Sequence, residues 1–373
     1  MKNYLFYLAT VIVLITTYSC ETEESGIENN DNLSALPDGL VTLKSGVTVE
    51  KKSNDYLIEG DIVLSPTQLK NLDEYGELIT KEPEYIGADT DVHPVYNIPM
   101  TTDANNAIIP RAFSIYPTSY NLWAMVRFVY NSNLTATERA KIKSALEEIE
   151  ASTNVRFYNA TGEDTYNSEY GFYYPYIDFY STGNVDTSSS YLGRIGGRQQ
   201  ISLADFALTS WNNRTIIHEI NHALGLRHEH TRTDRNNYIT VNTSNLTSSG
   251  LSQFTIPSTN YYQTGTYDYT SIMGYGSYTS ATSAVYDTSL PMYTKLDGSP
   301  VYTATTLSSS DRSWMNYFHV PYIARSDTYR ELASVVYKSD NTIMTAAERL
   351  AFQAYLNNGN STPPNCCRIP NDF

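Results

Sequence analysis

Residues 216–230 read Ile-Ile-His-Glu-Ile-Asn-His-Ala-Leu-Gly-Leu-Arg-His-Glu-His, and this stretch holds four of the six histidines in a chain of 373 residues. Helical spacing puts His218 and His222 one turn apart on one face, where their ring nitrogens can converge on a single ion. Glu219 lies beside that face, so its carboxylate can reach the ion's open position without being a ligand. Gly225 can take the left-handed conformation that ends a helix, and the turn it makes lets His228 swing back as a third ligand. Three nitrogen ligands with a fourth position open is the arrangement of a catalytic zinc site. With six histidines, a bare His-Glu-x-x-His arises by chance in well under about 1% of such chains. The added Gly225 and His228 make a purely structural reading rarer still. His93, His230 and His319 stand outside this spacing and are given no role.

Two further stretches identify the pattern. Tyr267-Asp268-Tyr269-Thr270-Ser271-Ile272-Met273-Gly274-Tyr275 supplies a methionine turn downstream of the histidines, and Glu229, Arg232, Asp234 and Arg235 follow the third of them. Together these residues resemble the astacin family of metzincin zinc endopeptidases, whose pattern runs HExxHxxGxxHExxRxDRD. Asn236 stands where that pattern has Asp, and Gly274 where the family often has His; neither position is a ligand. The likeness extends from Ala112 to about Phe318 and implies an α+β fold of two lobes. A twisted mixed sheet, a backing helix and the zinc helix would form one lobe, and an irregular C-terminal lobe would begin after Gly225.

By that resemblance His218, His222 and His228 hold one Zn2+ per chain, and Glu219 acts as general base for water. Met273 forms an apolar floor under the ligands. Tyr275 matches the family's tyrosine that ligates the metal at rest and swings to stabilise the oxyanion, and Glu229 meets the mature N-terminus. The substrates implied are proteins or peptides, bound extended along an edge strand near Ile201–Leu203. Arg194, Arg198 and Arg232 are nominees for recognising an acidic substrate side chain.

The N-terminus sets the compartment. Lys2 and the apolar run from Leu5 to Ile15, ending at Ser19-Cys20, read as a signal peptide over residues 1–19. The run is too short to span a bilayer. Cys directly after the small residue resembles a bacterial lipoprotein signal, with Cys20 acylated as a membrane anchor on an exported protein; Thr17 departs from the aliphatic usual there. Residues 21–111 then carry eighteen Asp and Glu against six Lys and Arg, most of the net charge of −15. Their apolar runs are short, so this block reads as a tether and a segment that lies on another surface, without a core of its own. Within it Ile58-Glu59-Gly60-Asp61-Ile62 resembles the FxGDI motif of astacin pro-segments. That resemblance makes Asp61 the zymogen switch on zinc, and implies maturation near Arg111-Ala112 by an activating protease.

Composition bounds the remainder. The acidic balance argues against a nucleic-acid partner, and three cysteines cannot staple a chain of this length. Thirty-three tyrosines against eleven phenylalanines favour wet, hydrogen-bonded surfaces. Residues 319–373, with Cys366-Cys367, lie beyond the resemblance as an extension of unassigned role. A reading from another class is a surface binding or adhesion lipoprotein that keeps the metal site without cleaving; Glu219, which catalysis alone needs, speaks against it.

Overall fold

The structure is a computed structural model that describes residues 38–78, 113–115, 123, 126–153, 155–167, 172–183, 187–258, 261–263 and 265–318. The signal segment 1–19, Cys20, Arg111, Ala112 and the extension 319–373 lie outside the described residues.

The N-terminal block contributes strands β1 (Gly39–Thr42), β2 (Thr48–Lys52), β3 (Asp55–Ile58) and β4 (Ile62–Val63), then a helix Pro66–Tyr75. Next come β5 (Phe113–Ile115), β6 (Val126–Tyr130), the backing helix Ala136–Ser152 and β7 (Phe157–Asn159). Strands β8 (Tyr166–Asn167), β9 (Phe172–Tyr173), β10 (Tyr176–Ser181), β11 (Ser190–Tyr191) and β12 (Arg198–Leu203) precede a short helix Asp205–Thr209 and the histidine helix Arg214–Leu224. The last part carries β13 (Ile239–Val241), a helical turn Ser248–Ser252, β14 (Tyr261–Gln263), β15 (Tyr293–Lys295) and a helix Ser309–Phe318.

The central sheet has the order β12-β10-β6-β7, every pair parallel. Parallel neighbours need a crossover, and between β6 and β7 the backing helix provides it. That helix begins at a capping box in which Thr135 and Glu138 satisfy each other's backbone N–H. Its Ile142, Ala145, Leu146 and Ile149 recur on one face, and all are fully buried. They pack with Phe128, Phe157, Phe179 and Ile201 of the sheet, and with Ile216, Ile217 and Ile220 of the histidine helix. Beside β12, Ser189 and Ser202 exchange both backbone hydrogen bonds at 2.9 Å in an antiparallel bridge, which makes the assembly mixed, as expected. β12, with the Ile201–Leu203 stretch expected to meet substrate, is the outermost strand of the central sheet, and this one bridge sets the segment before β11 beside it.

The acidic block departs from expectation. β1 to β4 form an antiparallel sheet with its own buried aliphatics, among them Val41, Leu43, Val49, Leu57, Ile62, Val63 and Leu72. Its helix is fixed by a Ser65–Gln68 capping box with Pro66 at the first position. The block does lie on another surface, since β4 pairs in parallel with β11, matching Ile62 to Ser190 and Val63 to Tyr191.

Beyond the histidine helix, regular structure is sparse. A second core of Ile239, Leu246, Phe254, Tyr267, Val285, Met292, Tyr293 and Val301 forms among turns and two-stranded pairings. The helix Ser309–Phe318 returns Trp314 and Met315 to the first core. Among the described residues no helix is long and apolar enough to cross a membrane.

Candidate metal centre

The histidine helix ends because Gly225 adopts φ +114°, and its N–H closes the last turn onto the carbonyls of Asn221 and His222. The next residues run back beside β5: Ile115 N–H donates to Gly225 O and Arg227 N–H to Phe113 O, both at 2.8 Å. This return brings His228 opposite the helix. A Cβ at position 225 would sit 3.2 Å from Ile115 Cγ2 and 3.4 Å from the Trp314 ring, in a backbone region that side chains avoid. Gly225→Ala is therefore expected to destabilise the fold by about 1–2 kcal/mol, lowering Tm by roughly 2–8 °C, and to reduce the zinc content at a fixed free zinc concentration. An unchanged Tm would show that the turn relaxes freely.

The three imidazoles converge. Their Nε2 atoms form a triangle with edges of 3.1, 3.2 and 3.2 Å, close to the roughly 3.3 Å edge of a tetrahedral zinc site with Zn–N near 2.0–2.1 Å. The outward nitrogens fix the tautomers: His218 Nδ1 donates to Ile272 O at 2.9 Å, and His222 Nδ1 to Leu226 O at 2.8 Å. In both, Nε2 is left as a lone-pair donor toward one point. Burial pushes His218 down to about 3, so it stays neutral. Burial opposes protonation of His228 as well, but the carboxylates of Asp61 and Glu59 on either side hold it up at about 9.

Asp61 closes the triangle. Its Oδ1 lies 3.5 Å from His222 Nε2 and 3.3 Å from His228 Nε2, and its Oδ2 lies 3.6 Å from His218 Nε2. Asp61, His218, His222 and His228 form a group whose ligand atoms all lie within 4.8 Å of one another. Against burial, the three imidazoles keep the Asp61 carboxyl well below the usual carboxylate range. Among the described residues Oδ1 is buried without a hydrogen-bond partner, and an orphaned carboxylate oxygen beside three ring nitrogens is a donor set that a divalent cation satisfies. A triad of imidazoles with one carboxylate suits zinc, which displaces the His228 proton when it binds.

Glu219 is 2% exposed and its Oε2 has no hydrogen-bond partner among the described residues. Burial and the Asp61 charge push its carboxyl well above its ordinary value, although Arg214 opposes the shift. Met273 is buried in the core, and its carbonyl accepts the Glu229 N–H at 3.2 Å. The methionine turn is clamped by Asp311 of the last helix, whose carboxylate accepts Ser271 Oγ at 2.7 Å and Ile272 N–H at 3.0 Å. Tyr275 donates its hydroxyl to Glu59 O at 3.0 Å and lies 3.4 Å from Asp61 Oδ2. Glu229 is buried, accepts Asp268 N–H at 2.7 Å, and is raised by burial to about 8.

Of the three nominated arginines, two are buried and one is paired at the surface. Arg232 is buried and binds Asp234 through Nε at 2.9 Å and Gly265 O at 2.8 Å. Arg194 is buried, and Arg198 pairs with Asp178 at 2.6 Å. The sequence pattern missed three contributors. His230 is fully buried, its ring 5.0 Å from that of His228 and 4.1 Å from that of Tyr275. Arg227 and Glu59 form a buried ion pair behind His228. There the Arg227 charge overcomes burial and holds Glu59 down at about 2.

Comparison with known proteins agrees with this geometry. A model of the Astacin peptidase family matches residues 116–320. The chain is 34% identical over 151 residues to zinc metalloproteinase nas-8 of Steinernema carpocapsae, covering 40% of this chain and 32% of that protein. It is 34% identical over 153 residues to high choriolytic enzyme 2 of Oryzias latipes, covering 41% of this chain and 49% of that one. It thus spans a third to a half of the length of these curated relatives. Among solved structures, high choriolytic enzyme 1, a hatching enzyme zinc-protease from Oryzias latipes, aligns with a TM-score of 0.42 at 26% identity, over 53% of this chain and 92% of that one. With more than half its length matched by the family model, and the zinc-type triad assembled where the motif lies, this chain belongs to the astacin family.

Proposed function

We propose that this chain is an exported zinc endopeptidase made as a zymogen, in which residues 112–318 form the catalytic domain and the block before it is the pro-segment. The observation that carries this reading is the Asp61 carboxylate seated on the face of the His218–His222–His228 triangle, at 3.3–3.6 Å from all three Nε2 atoms. Bound zinc would supply Lewis acidity at that face. His218, His222 and His228 hold it. Glu219 Oε2, free of other partners, takes the proton of an attacking water and returns it to the departing amine. Tyr275, once Glu59 O and Asp61 withdraw, has its hydroxyl free to donate to the substrate carbonyl oxygen. β4 occupies the side of β11 on which an extended peptide would pair, so one segment covers both the metal face and the strand edge.

Cleavage near Arg111-Ala112 would free a new N-terminus just before β5, which is bonded to Arg227 and Gly225 two to four residues from Glu229. That proximity supports Glu229 as the acceptor of the mature terminus. Anchoring through Cys20 places the enzyme on a membrane surface facing protein substrates.

The test is hydrolysis of casein by the purified full chain, loaded with zinc, before and after limited proteolysis. Activity should appear only after processing and vanish with a chelator. A full chain as active as the processed one would remove the pro-segment reading; inactivity of both would move the function to metal-dependent binding.

A further inference from the structure

The three imidazoles are not oriented by the same part of the chain. His218 and His222 donate through Nδ1 to carbonyls of Ile272 and Leu226, which belong to the domain that carries them. His228 Nδ1 instead faces Glu59 Oε2 at 3.2 Å, two residues ahead of Asp61 in the N-terminal block. The same oxygen accepts Thr231 Oγ1 at 3.1 Å and the His228 N–H at 3.4 Å, while Oε1 pairs with Arg227. Glu59 is 3% exposed, and these four partner groups all come from residues 227–231. Its backbone adopts φ +56°, a left-handed conformation uncommon for a residue with a side chain, and Gly60 follows at φ +99°. That strain turns two nearby carboxylates of one strand connection onto opposite sides of the His228 ring. Asp61 meets the metal face, and Glu59 meets the nitrogen behind it.

We propose that Glu59 is a positioning residue for the metal: its carboxylate takes the Nδ1–H of His228, fixes that ring with Nε2 toward the cation, and makes the full chain the tight-binding state for zinc. An imidazole that donates to a carboxylate is a more basic and better oriented ligand than one that donates to water, an effect of ten- to a hundredfold on metal affinity. Zinc is therefore loaded and held while the block is docked, and the third ligand exchanges its rear partner when the block leaves. The inference rests on reading this block as a pro-segment, but its measurement is zinc affinity and not proteolysis.

The probe is Zn2+ itself, titrated into the full chain against a chromophoric chelator. Glu59→Gln alone would strand the Arg227 guanidinium, whose Nε and Nη1 are buried with no hydrogen-bond partner among the described residues. Glu59→Gln with Arg227→Met removes both charges and keeps a neutral acceptor for His228 and Thr231. In this pair we expect a zinc dissociation constant raised about tenfold or more, with a limited-proteolysis pattern like that of the wild type. The same pair placed in an Asp61→Ala chain should weaken zinc by a similar further factor. An affinity within twofold of wild type overturns the proposal. So does a loss that disappears in the Asp61→Ala background, because the substitutions would then act only by undocking the block. A wild-type chain that binds no zinc would instead refute the proposed function.

Discussion

In the processed enzyme, Glu219→Gln is expected to lower kcat/KM for casein by a factor of about 10²–10⁴ while leaving one zinc bound per chain. Glutamine keeps the size and one acceptor oxygen of the side chain but cannot take a proton. The three imidazoles contact neither the lost charge nor each other through it, so metal retention separates catalysis from site assembly. Stability gives a second reading of the same variant. Burial raises the Glu219 carboxyl above its ordinary value. Stability linked to its neutral form is therefore complete below the unfolded carboxyl pKa, and it is lost as pH rises through the higher folded one. Glutamine has no such loss, so in the zinc-free full chain the variant should be at least as stable as the wild type at neutral pH. A processed Glu219→Gln enzyme within fivefold of wild-type activity would show that another group accepts the proton.

How far these features could be read in advance depended on whether their physics is local in sequence. The metal triad was legible because a helix fixes the spacing of His218 and His222, and Gly225 leaves few other courses for the chain to His228. The backing helix was legible from Thr135 and the recurrence of Ile142, Leu146 and Ile149. The N-terminal sheet was hidden because its strands bury only one or two apolar side chains each, such as Val49 of β2 and Leu57 of β3. Strands of four or five residues give periodicity little room to register. Nor could residue types announce Glu59. It falls at the free position of its motif, and its meaning depends on Arg227 and His228, about 170 residues away. The place of His230 is hidden for a similar reason. Nothing in its spacing tells a ligand from a ring that packs behind one, and only the stacking on His228 and the tilted contact with Tyr275 do so. The single bridge from Ser189 to Ser202, which sets the segment before β11 beside β12, leaves no mark in composition.

Latency should yield in two stages when the block is weakened without being cut. Asp61→Ala in the unprocessed chain removes the carboxylate from the metal face, yet β4 still pairs with β11 and Glu59 still binds Arg227, His228 and Thr231. Casein hydrolysis should therefore remain close to the background of the unprocessed wild type. Adding Glu59→Ala changes the balance, because it leaves Arg227 as a buried and uncompensated cation for as long as the block stays docked. Breaking one side of a buried ion pair costs about 3–5 kcal/mol. At about 1.4 kcal/mol per factor of ten, that shifts the docking equilibrium by about two to three and a half orders of magnitude. The undocked chain exposes Arg227 to water and uncovers the β11 edge and the Tyr275 hydroxyl together. Unprocessed Asp61→Ala/Glu59→Ala should then cleave casein at least about 100-fold faster than the unprocessed wild type, within the same range. If the double variant stays latent until processed, the strand pairing of β4 with β11 is sufficient to block substrate and the two carboxylates serve the metal alone. Full activity from Asp61→Ala by itself would mean the reverse: a strand of two residues cannot hold the edge once the carboxylate on the metal face is gone.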